Sequence, residues 1–226
     1  MEKHYLHGKI ITDVARPDKK IVEGFRKHDV CKIGDSMKAY GLMDYQIKPI
    51  AKGMKVCGPA CTVLTRPGDA LYVQKVIEVL KPGDVVVIDA GDIRDVACIG
   101  ERLSQYMKMK GCTGVVVDGA IRDSAGIIDI GLPTFSKSIC TKIFGSIGPG
   151  AINVPIQCGG VPVKPGDIIV GDDDGVVCVP MEVAAEVLAT ADHHLADELY
   201  RLKQIVEEGK SVTEVFGLAD KLKKWE

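Results

Sequence analysis

The most constraining feature of the sequence is a pair of short, continuous apolar runs separated by a helical stretch. The runs are Val85 to Ile88 and Gly114 to Asp118, and both are rich in β-branched residues. The stretch from about Ala97 to Lys110 has helical spacing, ends in lysines and stops at Gly111. Two apolar strands joined by a helix are typical of a parallel sheet covered on both faces. We therefore predict an α/β fold for the middle of the chain.

The flanking segments extend this pattern into one domain. A helix is predicted from Asp69, its N-cap, to Leu80, and a long helix from about Glu182 to Glu208 precedes a last helical stretch. Short β-type segments separated by Gly and Pro are predicted to form a second, smaller sheet layer: 133–135, 152–156, 161–163, 168–171 and 176–180. We expect a single domain over residues 1–226, with its core at about 20–180 and a helical extension at about 181–226.

Charge and hydropathy exclude several classes of function. Lys and Arg number 29 against 31 Asp and Glu, and the net charge of −2 gives no basic surface for nucleic acid. The apolar runs are too short to cross a bilayer, and the N-terminal residues lack an apolar signal-peptide core. We expect a cytoplasmic protein that binds neither nucleic acid nor membrane. The eight cysteines are expected to be reduced and mostly buried, and Cys57 and Cys61 lack the further ligands of a zinc site.

Charged residues follow the two predicted strands at the point where each one ends. Asp118 to Asp123 comes directly after the second strand, Asp89 to Asp92 follows the first, and Gly100-Glu101-Arg102 lies at the start of the intervening helix. In open α/β sheets, ligands bind at the carboxyl ends of the strands. These residues are therefore predicted to converge on one polar crevice.

Arg122 and Asp123 are the candidate catalytic pair. The Arg122 guanidinium can bind a carboxylate or a developing enolate, and the Asp123 carboxylate is a hard oxygen ligand for a divalent cation. The alternative is a surface salt bridge that caps the next helix. Gly100 beside Glu101 would let backbone N–H groups approach a substrate carboxylate.

Histidine placement argues against an imidazole-based site. The histidines are His4, His7, His28, His193 and His194, so none lies between residues 29 and 192. Ligation by carboxylates alone favours magnesium or manganese. His193 and His194 are predicted to be solvated, and Asp172-Asp173-Asp174 is predicted to be a hairpin turn rather than a metal loop.

The order of these motifs resembles one protein family. Gly100-Glu101, twenty intervening residues and then Arg122-Asp123 are similar to the signature of the 4-hydroxy-4-methyl-2-oxoglutarate aldolase and regulator of ribonuclease activity A family. The resemblance covers roughly residues 20 to 215. It continues through segments 58–63, 82–87, 132–135 and 165–176.

The resemblance implies a layered β/β/α sandwich similar to the phosphohistidine swivelling-domain fold, with a long C-terminal helix. It implies that Asp123 anchors magnesium or manganese, while Arg122 and the amides of Arg102 and Leu103 hold a pyruvyl group. The family aldolases have Asp where this chain has Glu101, which is expected to handle the hydroxyl proton through a water. The resemblance also implies a homotrimer, or a hexamer of two trimers, in which Glu198 reaches the neighbouring subunit's site.

The expected activity is cleavage of a small 2-oxo acid through a pyruvate enolate, by retro-aldol cleavage, oxaloacetate decarboxylation or both. One alternative is a non-catalytic trimer that binds and inhibits an RNA-processing enzyme. The other is a phosphohistidine carrier domain, which the absence of a mid-chain histidine disfavours. For Glu198, the local alternative is an ion pair with Arg201 one helical turn away.

Overall fold

The computed structural model describes residues 8–142 and 145–225, and a mixed β-sheet dominates them. The strand order is β1-β5-β4-β3-β2-β9-β10, with β6 paired to β2 and a separate β7–β8 hairpin. The strands are β1 Lys48–Pro49, β2 Val56–Thr65, β3 Val85–Ile99, β4 Gly114–Ile121, β5 Thr134–Ile139, β6 Gly150–Ile152, β7 Ile156–Cys158, β8 Val161–Val163, β9 Ile168–Asp172 and β10 Gly175–Val179. The predicted α/β class is confirmed. The likeness to the swivelling domain stays a prediction.

The helices cover the sheet and extend beyond it. They are α1 Lys19–Phe25, α2 Val30–Ser36, α3 Leu71–Lys75, α4 Glu101–Met109, α5 Ser124–Ile130, α6 Ala184–Val206, α7 Val212–Phe216 and α8 Leu218–Leu222. The helix predicted over 69–80 is shorter than expected at both ends. Asp69 accepts a hydrogen bond from the Leu71 N–H, so the helix begins at Leu71, and a 3₁₀ helix replaces the α-helix after Lys75. None of the described helices is both long and apolar enough to cross a membrane.

The predicted βαβ unit is present at the centre of the sheet. β2, β3, β4 and β5 are parallel neighbours, and Val86 pairs with Val115 in the β3–β4 register. Every residue of β4 is buried because helices cover one face and the folded-over sheet covers the other. The carboxyl ends of β3, β4 and β5 therefore meet along one edge.

Strand β3 is much longer than predicted. We expected a strand that ended at Ile88 and a helix that began at Ala97, whereas the strand continues to Ile99 and α4 begins at Glu101. The extension keeps pairing with β4 through three register shifts between Asp89 and Ile99. β-Bulges of this kind admit residues that do not alternate regularly, so periodicity alone misses them.

The predicted second sheet is only partly separate. β9 and β10 form an antiparallel hairpin whose turn contains Asp173 and Asp174, which confirms the predicted turn at this acidic segment. However, β9 also pairs with the first half of β2, so the hairpin continues the main sheet instead of forming another. A core between the two halves of the sheet contains Phe135 and Ile169.

The cysteines and histidines within the described residues follow the predictions closely. Six cysteines are buried, Cys140 is half-buried and Cys31 is exposed, and all are reduced. His193 and His194 are exposed as expected. His28 is buried and contacts Asp192 at 2.9 Å. His4 and His7 lie outside the described residues.

Candidate active site at the ends of β3, β4 and β5

Gly100 brings the start of α4 into direct contact with Arg122 and Asp123. A Cβ at Gly100 would lie 2.6 Å from Asp123 Oδ2 and 3.0 Å from Arg122 Cγ, so a larger residue cannot fit without a shift. The backbone N–H of Arg122 also donates to the Ile99 carbonyl at 3.0 Å. The predicted convergence is therefore confirmed for Gly100, Arg122 and Asp123. It is wrong for Asp92 and Asp118, which form ion pairs with Lys137 of β5 instead.

The Arg122 side chain is held by its neighbour but keeps donors free. Its Nε donates to both oxygens of Asp123 at 3.2 Å, and the two side chains are 30% and 39% exposed. Within the described residues, its two terminal nitrogens have no protein acceptor. The guanidinium can therefore donate two further hydrogen bonds to an anionic ligand.

The alternative interpretation of this pair is wrong in one respect. Asp123 is the N-cap residue of α5, but its side chain makes no capping hydrogen bond to that helix. Its backbone has φ 54° and ψ 41°, a left-handed conformation that is uncommon for residues other than glycine. Such conformations cluster at functional sites, and this one leaves the carboxylate on the Arg122 side.

The first turn of α4 presents backbone donors. Gly100 is the N-cap residue of α4 and has no side chain that could accept a hydrogen bond from the first N–H groups of the helix. The first hydrogen bond of the helix runs from the Ser104 N–H to the Gly100 carbonyl. In the part of the chain that the structure describes, the N–H groups of Arg102 and Leu103 have no protein acceptor. Uncapped amides at a helix N-terminus suit an anion such as a carboxylate.

An open depression of about 500 Å³ lies beside this cluster. Glu101 and Asp123 lie on one side, with the first turn of α5 beside them. Ile139, Cys140 and Thr141, at and just beyond the end of β5, form the other side. Sequence reasoning did not include this wall, although the strand-end argument used for β3 and β4 applies equally to β5.

The carboxylates of this site fit a magnesium ion better than a structural zinc. Mg²⁺ is commonly bound by one or two protein carboxylates, with waters and substrate oxygens as its remaining ligands. Asp123 and Glu101 can supply that set. The described residues contain no cluster of three or more His, Cys, Asp or Glu side chains arranged for a metal ion. Asp123 could hold such an ion, because among the described residues its carboxylate contacts no side-chain donor other than Arg122.

Glu198 is not among the residues that line this depression. It lies on α6, forms an ion pair with Lys32 of α2, and borders a different depression of about 380 Å³. Its predicted local alternative is wrong, since Arg201 pairs with Asp197 at 2.6 Å instead. Its predicted role in a neighbouring subunit stays a prediction.

A buried lysine lies on the opposite face of the sheet from α4. Lys137 of β5 is 5% exposed and contacts Asp118 at 2.7 Å and Asp44 and Asp92 at 3.1 Å each. Burial alone would lower the pKa of Lys137, but these three carboxylates outweigh it and raise that pKa above its ordinary value. The same sheet edge contains Asp89, whose pKa is raised because burial disfavours its charged form. These contacts favour the charged form of Lys137.

Comparison with known proteins relates this geometry to other chains. The Aldolase/RraA model of the RraA-like family matches residues 30–178. A relative from Halalkalibacterium halodurans is 39% identical over 181 residues, which cover 80% of this chain and 86% of that one. It carries the provisional name 4-hydroxy-4-methyl-2-oxoglutarate aldolase. A second relative, an uncharacterized protein from Methanocaldococcus jannaschii, is 34% identical over 76% of this chain and 83% of its own.

Solved structures agree with the fold. RraAS2 of Streptomyces coelicolor, described as an unusual member of the RNase ES inhibitor RraA family, superimposes with a TM-score of 0.75 and 32% identity. The match covers 83% of this chain and all of that one. A Pseudomonas syringae protein shares the fold with a TM-score of 0.78 at 24% identity, covering 91% of this chain and 97% of that one. The family match, the identities and the shared fold together show that this chain belongs to the RraA-like family.

Proposed function

We propose that the protein is a divalent-metal-dependent lyase that breaks a carbon–carbon bond of a small 2-oxo acid and passes through a pyruvate enolate. The observation that carries this proposal is the arrangement around Gly100. The Asp123 carboxylate and the Arg122 side chain both contact Gly100, the N-cap residue of α4, whose first turn carries the amides of Arg102 and Leu103. The provisional aldolase name of the Halalkalibacterium halodurans relative supports the same chemistry.

Each group has a separate task in this proposal. The N–H groups of Arg102 and Leu103 bind the substrate carboxylate, and the terminal nitrogens of Arg122 stabilise the charge that develops on the ketone oxygen. Asp123 holds the magnesium or manganese ion, which when bound supplies Lewis-acid polarisation of the 2-oxo acid. Glu101 accepts the proton of the C4 hydroxyl through a water molecule when the C3–C4 bond breaks.

The same residues support two related reactions. Retro-aldol cleavage and oxaloacetate decarboxylation both leave a pyruvate enolate, which Arg122 would stabilise in either case. Glu101 is needed only for the retro-aldol reaction, because decarboxylation releases carbon dioxide without removing a hydroxyl proton. Replacement of Glu101 should therefore reduce aldol cleavage more than decarboxylation.

The environment of Lys137 argues against an imine mechanism at this residue. A lysine that forms a Schiff base needs a lowered pKa so that its amine is neutral. The pKa of Lys137 is raised by the carboxylates of Asp118, Asp44 and Asp92, although burial opposes this. Lys137 would therefore remain an ammonium ion at neutral pH.

The proposal is tested by measuring pyruvate release. Purified protein with Mg²⁺ is incubated with 4-hydroxy-4-methyl-2-oxoglutarate and, separately, with oxaloacetate, and a lactate dehydrogenase assay follows pyruvate. A reaction without protein controls for spontaneous oxaloacetate decarboxylation. We expect protein-dependent release from at least one substrate. Release that equals the protein-free rate for both would contradict the proposal.

A regulator that binds an RNA-processing enzyme is the second candidate. The observation that favours it is the likeness to Streptomyces coelicolor RraAS2, from a family described as RNase ES inhibitors. Inhibition of a ribonuclease of the E type by the catalytically inactive Asp123→Asn protein would support this function. Both functions are compatible with the proposed trimer or hexamer, in which Glu198 would leave Lys32 to reach a neighbouring site.

A further inference from the structure

The backbone conformation at position 126 does not require a glycine. Gly126 lies inside α5, and its φ is outside the left-handed range in which glycine is favoured. Glycine in the interior of a helix is less favourable than alanine. The reason for a glycine here must therefore lie in what surrounds it.

The space above Gly126 is filled by the side chain of Glu101. A Cβ at Gly126 would lie 2.7 Å from Glu101 Cγ and would overlap the Glu101 carboxylate. The three nearest atoms to that Cβ all belong to Glu101. Glu101 and Gly126 border the same depression as Asp123.

The contact is specific to a side chain that can move. Glu101 is exposed, and within the described residues its carboxylate has no hydrogen-bond donor or ion-pair partner. An added methyl group at position 126 would therefore push the carboxylate away at little cost to the fold. Gly126 thus controls where the carboxylate lies but contributes little to stability.

We propose that Gly126 is a positioning residue for Glu101: because Gly126 has no side chain, the Glu101 carboxylate can lie over the first turn of α5, beside Asp123. This inference rests on the proposed function, in which Glu101 transfers a proton during aldol cleavage. It also explains how a side chain one methylene longer than aspartate is accommodated at the start of α4.

The test compares the parent protein with Gly126→Ala, Glu101→Ala and the double variant. Gly24→Ala is the matched control, because Gly24 also lies in a helix and its Cβ would press on the flexible end of Leu188. Kinetic constants for retro-aldol cleavage, thermal melts and crystal structures are measured. In the crystal structure of Gly126→Ala, Glu101 Cγ should move by at least about 0.7 Å, from 2.7 Å to an ordinary contact of 3.4 Å with the new Cβ. The Glu101 carboxylate, which is nearer to that Cβ, should move further.

We expect Gly126→Ala to lower kcat by about 10- to 100-fold, part of the 10²- to 10⁴-fold that a positioned proton-transfer group contributes. KM should change little, since the groups that bind the 2-oxo acid are untouched, and Tm should be unchanged or higher. In the Glu101→Ala background, Gly126→Ala should have no further effect on kcat, because the carboxylate that Gly126 positions is already absent.

Three results would overturn the inference: a Glu101 side chain that stays in place, an unchanged kcat despite its movement, or equal kcat losses in both backgrounds. A parent protein without activity would instead refute the proposed function and the proton-transfer role together. The crystal structures would still decide in that case whether Gly126 sets the position of Glu101.

Discussion

Gly100→Ala tests whether the contact between α4 and the Arg122–Asp123 pair is needed for activity. The backbone at Gly100 has φ −147° and ψ −172°, an extended conformation that alanine adopts without strain. The added Cβ would lie 2.6 Å from Asp123 Oδ2. To reach an ordinary contact of 3.4 Å, the carboxylate must move by about 0.8 Å.

The expected effect on stability is small and the effect on activity is large. Overpacking typically costs about 1–3 kcal/mol, and the lower end applies here because the Asp123 carboxylate is partly exposed and can rotate. For a domain of this size, that corresponds to a fall in Tm of about 2–4 °C. A displacement of about 1 Å at a reacting group can reduce the rate by about 100-fold.

The assay measures pyruvate release at saturating Mg²⁺, with a thermal melt of the same preparation. Gly145→Ala is the control, since among the described residues the atom nearest to a Cβ at Gly145 lies at 3.5 Å, an ordinary contact. A folded Gly100→Ala protein with parental kcat would refute the reasoning. An equal loss in Gly145→Ala would show that the effect is not specific to the site.

Three further predictions concern the thiols, the pH dependence and the assembly. Labelling of Cys140 with a bulky maleimide should inhibit pyruvate release, and added pyruvate should protect Cys140 from labelling. Cys98 should stay unlabelled, because it is buried and burial raises its pKa to about 12. A protein in which Cys98 is labelled and Cys140 is not would contradict this prediction. Burial opposes ionisation of Asp69, but backbone N–H groups outweigh it and lower its pKa below the ordinary 3.8. The ionised Asp69 carboxylate therefore stabilises the folded protein above pH 3.8, and this stabilisation is lost as the pH falls through its lower pKa in the folded state. Asp69→Asn should therefore reduce the fall of Tm at acidic pH. An unchanged dependence of Tm on acidic pH would refute this prediction. Refolded mixtures of Arg122→Ala and Glu198→Ala subunits should recover roughly a quarter of the sites, whereas a fully active Glu198→Ala protein would exclude Glu198 from the site.

The centre of the fold could be predicted from sequence because its strands are apolar throughout. The parallel β3–β4 pair then fixes where their polar ends lie, so Gly100, Arg122 and Asp123 could be assigned to one site. The extension of β3 to Ile99 could not be predicted, since it depends on bulged pairing with β4 that no local pattern encodes.

The parts of the site that were missed depend on strand length and helix packing. The predicted strand near β5 ended at Phe135, whereas the strand continues to Ile139, so Cys140 was not assigned to the depression. The contact between Glu101 and Gly126 arises from the packing of α4 on α5, which sequence spacing does not specify.

The pairing of Glu198 illustrates how tertiary contacts override local spacing. An Arg three residues away on the same helix is a plausible partner, yet Lys32 on α2 is the residue that pairs with Glu198. This choice depends on the packing of α2 against α6, which the local pattern of α6 does not contain.

In the proposed mechanism, Asp123 holds a divalent ion that is required for cleavage. The most direct measurement is pyruvate release by the parent and Asp123→Asn proteins after chelation with EDTA and again after titration with Mg²⁺ or Mn²⁺. We predict that chelation abolishes the parent activity, that added metal restores it, and that Asp123→Asn stays inactive at every metal concentration. Full activity of the chelated parent protein, or of Asp123→Asn, would contradict the account.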